Sequence, residues 1–321
     1  MRRHLLATAV ILTVAPGCDN VAWGGVEVRW VPPATAQGDT LEVVAPVEDV
    51  QPGDVAWPLL LAGERQDAQA TLVVVGELRD RALVAATPTS TAAGAAVGSE
   101  WILFADGVRV GRMTADRTGT AEGFCGSATT VVGNVELVPG ASAVERFLAL
   151  PVSEAAAVPY GTFRPLAHDY DQRVASLELA QEAIPRVGAR WPQDGVLSAR
   201  QDIQSFQPVG TSAPSVAASF VYRDRLAVGP AEAGAYSLFV VASPAPDAYR
   251  RTFEWYQAAD STAKQAPRYF GHLDWNGDGQ GEMILDVFGS RARWHAALEQ
   301  RAGSWVRTFE SSCGAGASPA R

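Results

Sequence analysis

Trp101-Ile102-Leu103-Phe104-Ala105-Asp106-Gly107-Val108-Arg109-Val110 is the stretch that decides the fold class. Two apolar runs flank Asp-Gly, a pair that takes positive φ at little cost and so closes a tight hairpin whose twist matches its strands. Working outward, Leu72-Val73-Val74-Val75, the turn at Arg79-Asp80 and Leu83-Val84 predict a second hairpin. Nearer the N-terminus Val26–Val31 alternates cleanly, stops at Pro32-Pro33 and resumes over Thr40–Val44, the mark of half-buried strands. Val131–Pro139 and Glu145–Pro151 add two strands, while Ala85–Gly98, rich in Ala, Thr and Gly, reads as a mobile loop. The alanine-rich patch Ser153–Val158 reads as a connector, with a domain boundary near residue 155.

Beyond that boundary one segment is helical. From Asp169 to Ile184 the residues Val174, Leu177, Ala180 and Ile184 recur at steps of three or four, and Pro185 ends the run. Trp191–Pro214 is polar and turn-rich; Ser219–Tyr222 and Ala235–Ala242 return to strand, with Tyr236, Leu238 and Val240 on one face. The expected class is mainly β: a β-rich N-terminal domain, 18–155, and an α+β part, 156–321, with one amphipathic helix.

Composition bounds the function. The chain has 321 residues, 47% of them hydrophobic and 19% charged, which is the make-up of a packed soluble protein and not of an integral membrane one. A net charge of −9 without any basic run excludes nucleic acid as a partner. Lys264 is the only lysine, so a phosphate-binding Walker loop or a Schiff-base enzyme would have to rest on it, and neither context surrounds it.

The first residues address the chain. Met1–His4 is basic, Leu5–Ala15 is apolar but shorter than the roughly 20 residues that span a bilayer, and Pro16 and Gly17 follow, so residues 1–17 read as a secretory signal peptide. Ala15-Pro16-Gly17-Cys18 resembles the signal of a bacterial lipoprotein. The resemblance implies that Cys18 is lipidated and begins the mature chain, which sits outside the cytoplasm, in the periplasm or at the cell surface, anchored in a membrane. An ordinary export signal cleaved nearby, with Cys18 incidental, is the other reading. With Cys18 acylated, Cys125 and Cys313 are the remaining thiols; in an oxidising compartment they form a disulfide or stay as two free thiols. Such a long loop closed by a disulfide gains on the order of 5 kcal/mol at most.

The C-terminal part carries one motif. Residues 274–282 read Asp-Trp-Asn-Gly-Asp-Gly-Gln-Gly-Glu. A Ca2+ ion takes six to eight oxygens at about 2.4 Å, and alternate positions of a tight loop can aim Asp274, Asn276 and Asp278 at one centre, the Gln280 carbonyl adding a ligand and Glu282 closing the far side. An EF-hand fails, because its bidentate twelfth-position Glu is here Leu285 and both flanks look like strands. The loop resembles instead the FG-GAP or VCBS-type calcium loop of integrin-like β-propeller blades, with Trp294–Glu299 and Trp305–Phe309 as the outer hairpin. The likeness covers residues 267–310, and the loop has no second copy in the chain, so a single blade-like unit is implied. Against it stands a plain Asx/Gly turn that binds nothing.

Weaker constellations remain. Ser261 and Lys264 have the Ser-x-x-Lys spacing of penicillin-recognising enzymes without the Lys-Thr-Gly partner, and no Gly-x-Ser-x-Gly elbow exists. His168, Asp169 and Asp171 offer an acid/base or metal set, though acids at a helix start are favoured by its dipole alone; His272 and His295 have no zinc-like spacing. Trp255, Trp275, Trp294 and Trp305 make a carbohydrate platform if exposed and a core if not. The expectation is an exported, lipid-anchored envelope protein acting as a binding or structural module toward a protein or glycan ligand, more a binder than an enzyme, with an extracytoplasmic hydrolase carrying a structural calcium as the alternative.

Overall fold

In the computed structural model the described residues are 55–155 and 161–311. The signal segment, Cys18, the strands expected over 26–44 and Cys313 lie outside them. Seven strands come first: β1 (Leu59–Gln66), β2 (Gln69–Arg79), β3 (Ala82–Val84), β4 (Glu100–Ala105), β5 (Val108–Thr120), β6 (Thr129–Leu137) and β7 (Arg146–Pro151). They run in the order β1-β7-β4-β5-β6-β2, every pairing antiparallel, and β2 pairs back to β1. A six-stranded barrel is thereby closed, and β3 extends the edge of β2. The deciding hairpin is β4–β5, turning at Asp106 (φ 48°) and Gly107 (φ 74°), a turn for which Asp-Gly is suited.

Alternation sorts the barrel residues. Leu59, Leu61, Leu72, Trp101, Leu103 and Phe147 fill the interior. Leu60, Phe104, Leu148 and Leu150 face outward, and they too are buried, against Phe270, Leu273, Trp275 and Ile284 of a second layer. This explains why β1 opens as a continuous apolar run: both of its faces are covered.

That layer is an antiparallel meander of β12 (Gln265–Leu273), β13 (Glu282–Gly289), β14 (Arg293–Arg301) and β15 (Ser304–Glu310), for which β8 (Arg200–Phe206), β9 (Ser215–Tyr222), β10 (Ala235–Pro244) and β11 (Tyr249–Ala259) form the next sheet, ordered β11-β10-β9-β8. Phe239, Val241 and Trp255 of one sheet interdigitate with Leu285, Val287, Trp294 and Leu298 of the other. The helix Tyr170–Arg186 covers the far face, setting Ala180, Ala183 and Ile184 on Phe220, Tyr236, Leu238 and Val240. Helix, sheet, sheet and barrel therefore stack in layers, and β13, near the middle, is buried at every position. The mainly β class is what the structure shows. The first sheet ends at Pro151, close to residue 155, yet the apolar cluster beneath it is shared with β12, β13 and β15, and Val50–Arg321 make one compact unit.

Several local expectations are corrected. Ala85–Gly98 is no loop throughout: Pro88–Gly94 is a helix, with Thr87 Oγ1 accepting from Ser90 N and Pro88 in its first turn. The long helix runs past Pro185 to Arg186, since a proline this near the C-terminus leaves most of the ladder intact. Its buried stripe is Ala175, Ser176, Leu179, Ala180, Ala183 and Ile184, with Leu177 only partly covered. β8 lies inside the stretch read as turn-rich, and β11 was not anticipated. Among the described residues no helix is long and apolar enough to cross a membrane.

Candidate metal centre

The loop joins β12 to β13, so its two stems are fixed by the central sheet, where Leu273 pairs with Glu282. Gly277 (φ 72°) and Gly279 (φ 83°) supply the two left-handed turns that reverse the chain, and a side chain at either would be strained. Trp275 is buried among the residues shared with the barrel, which anchors the loop's second position in the core.

Three carboxylates converge. Ligand oxygens of Asp274, Asp278 and Glu282 lie within 4.8 Å of one another. Asp274 Oδ1 accepts from Gly277 N at 2.7 Å and Oδ2 from Gly279 N at 2.9 Å; Asp278 Oδ1 accepts from Gln280 N at 2.8 Å. Glu282 accepts from Trp275 N at 3.0 Å and from Asn276 Nδ2 at 2.8 Å, and Asn276 Oδ1 accepts from Asp278 N at 2.8 Å. Asp274 Oδ1 also accepts from Asp278 N at 3.2 Å, while each of the other oxygens keeps a second lone pair. Glu282 is 1% exposed. Burial, then the charges of Asp274 and Asp278, push its carboxyl up to about 8, against the hydrogen bond from Trp275 N. Such a set fits a hard divalent cation: oxygens only, from alternate positions, with repulsion that a cation would relieve. The loop thus brings Asp274, Asp278 and Glu282 together with Asn276 beside them; no contact of Gln280 with the group is shown beyond its N–H.

The other candidates take structural places. Lys264 is buried, its Nζ donating to Asp224 Oδ1 at 3.0 Å and to the carbonyls of Arg225 and Ala227 at 3.0 and 2.7 Å, while Ser261 is exposed. Asp169 is the N-cap of the long helix, in a capping box with Gln172. Trp255, Trp275, Trp294 and Trp305 are buried, so they form core and not a platform. Cys125 is disulfide-bonded, and the neighbouring Phe124 packs under the Arg293 guanidinium of β14 at 4.1 Å.

Sequence reasoning missed a second charged group. Asp286, on β13, lies buried with Arg268 Nη2 donating to its Oδ2 at 2.6 Å and His295 Nε2 3.4 Å from its Oδ1. The only signal available was an acid within an apolar strand, Met283-Ile284-Leu285-Asp286-Val287. The chain matches no protein-family model, no curated protein and no solved structure. A functional reading therefore rests on its own residues.

Proposed function

We propose that the chain is an exported envelope protein, lipid-anchored at Cys18, which acts as a binding or structural module toward a protein or glycan and whose central sheet is stapled by Ca2+. The observation that carries it is the convergence of three carboxylates on one loop between two strands of the core. The four-stranded meander that holds the loop between its first two strands supports the FG-GAP-like reading of residues 267–310. Asp274, Asp278 and Glu282 hold the ion, Asn276 and the Gln280 carbonyl complete the set, and the staple closes the β12–β13 connection. Cys125 pairs with Cys313, which ties the β5–β6 connection to the end of the chain beyond β15; the contact of Phe124 with β14 supports that placement.

The test is a thermal melt of the chain from Asp19 onward in calcium and in chelator. The reading expects a higher midpoint in calcium, and Asp278→Ala lowers the midpoint in calcium but not in chelator. Equal midpoints in both solutions reduce the loop to a turn. Incorporation of a labelled fatty acid, lost in Cys18→Ala, tests the anchor.

A further inference from the structure

A cavity of about 370 Å³ opens where the mouth of the barrel meets β8 and β12. Its size is that of small-ligand sites. Four phenylalanines wall it, Phe104, Phe147, Phe163 and Phe270, and its polar lining includes Asp106, Arg146, Gln204 and His272. None of the loop carboxylates lines it, so its reading stands apart from that of the calcium loop.

The polar groups are not equally engaged. His272 accepts from Tyr269 Oη at Nδ1, 2.7 Å, and donates from Nε2 to Gln207 O at 3.1 Å. Arg146 donates from Nη1 to Tyr269 O at 3.2 Å, and its charge acts on two carboxylates, Asp106 and Asp202. Arg268 donates to Asp286, and its charge acts on Asp202 as well. Asp202 accepts at Oδ1 from Gln204 Nε2, while its buried Oδ2 has no hydrogen-bond partner. Asp106 accepts no hydrogen bond from any described residue; burial raises its pKa, and Arg146 opposes that only by its charge. A turn aspartate ordinarily caps a backbone N–H of its own turn; this one points a half-buried, donor-free carboxylate into an aromatic-walled cavity. Of the two, Asp202 also feels Arg268, whereas Asp106 has the charge of Arg146 alone and no hydrogen bond, beside π-faces that attract cations.

We propose that this cavity binds a small primary amine with an aromatic or apolar body, the ammonium on Asp106 and the body among the phenylalanines. The ammonium supplies the donors that Asp106 lacks, and the apolar body takes the place of water against the four rings.

Calorimetric titration of the full chain with 2-phenylethylammonium, 2-phenylethanol and 3-phenylpropionate at pH 7 tests this. The cation is expected to bind at least tenfold more tightly than the alcohol or the acid. Asp106→Asn lowers the cation's affinity at least tenfold and leaves the alcohol's unchanged; Asn tolerates the positive φ at this position, so the hairpin is kept. Ala143→Phe, at an exposed residue of the cavity rim, abolishes binding of all three by filling the space. Absence of binding at millimolar amine, equal affinity for the three probes, or unchanged cation affinity in both variants overturns the proposal.

Discussion

Asp286 shows how far a single charge can be committed to a fold. Burial alone would raise its pKa, but His295, with Nε2 3.4 Å from Oδ1, and the charges of Arg268 and Arg293 outweigh burial and hold the carboxyl well below its usual range. Its pKa in the folded chain is thus below that in the unfolded one, so the stability it contributes is present above the ordinary carboxylate pKa near 3.8 and is lost as pH falls below that value. In urea unfolding, Asp286→Asn is expected to cost about 3–5 kcal/mol at pH 7, because it leaves the Arg268 guanidinium without its anion. The same variant loses less further stability than the unaltered chain between pH 4 and pH 2; parallel pH profiles would count against this role. Glu282 stands at the opposite pole, a carboxylate that the fold disfavours as an anion. Glu282→Gln keeps an acceptor for Trp275 N, so the melt in chelator should stay close to that of the unaltered chain while the rise in calcium disappears. A full calcium response in that variant would remove Glu282 from the ligand set.

At the scale of elements, the strength of a sequence signal follows how much of an element's environment is local. The long helix begins where its cap says it should: Asp169 accepts from Gln172 N at 2.8 Å, and Gln172 Oε1 accepts from Asp169 N at 3.0 Å. Asp169→Ala should cost about 1 kcal/mol in urea unfolding, and a loss near zero would mean that packing on β9 and β10 alone holds the helix start. Its buried face was less legible, because Gln172 and Ser176 are buried with the apolar residues and Ser205 Oγ donates to Gln172 Oε1, a partner on another element. The hairpins β2–β3 and β4–β5 were readable from their turns, where Asp80, Arg81, Asp106 and Gly107 all have positive φ. β8 and β11 were not readable, since they are the edges of their sheet and carry polar residues such as Gln201, Asp202, Arg250 and Glu254. The calcium-type loop was legible because all its carboxylates fall within 274–282. The cavity was not, because Asp106, Arg146, Gln204 and His272 come from four elements that only the fold brings together.

At the scale of the molecule, the barrel and the sandwich are held by one apolar cluster and a few polar ties. Leu60, Phe104, Leu148 and Leu150 of the barrel meet Phe270, Leu273 and Ile284 of the central sheet, and Arg146 reaches across to the Tyr269 carbonyl. The central sheet has the sandwich core on its other face, where Ser219 Oγ donates to the Pro267 carbonyl at 2.7 Å. Neither face of β12 and β13 can then be uncovered without exposing leucines, so barrel and sandwich should unfold together despite their separate sheets. Leu148→Ala tests this where it matters, since Leu148 is 2% exposed and lies against Gly271 of β12. The substitution should cost about 2–5 kcal/mol, and amide hydrogen exchange should speed up to a similar degree in β1, β13 and β10. Faster exchange confined to the barrel, with β13 and β10 as protected as before, would show that the shared cluster does not couple the layers and that the chain opens as two cooperative units that meet at β12.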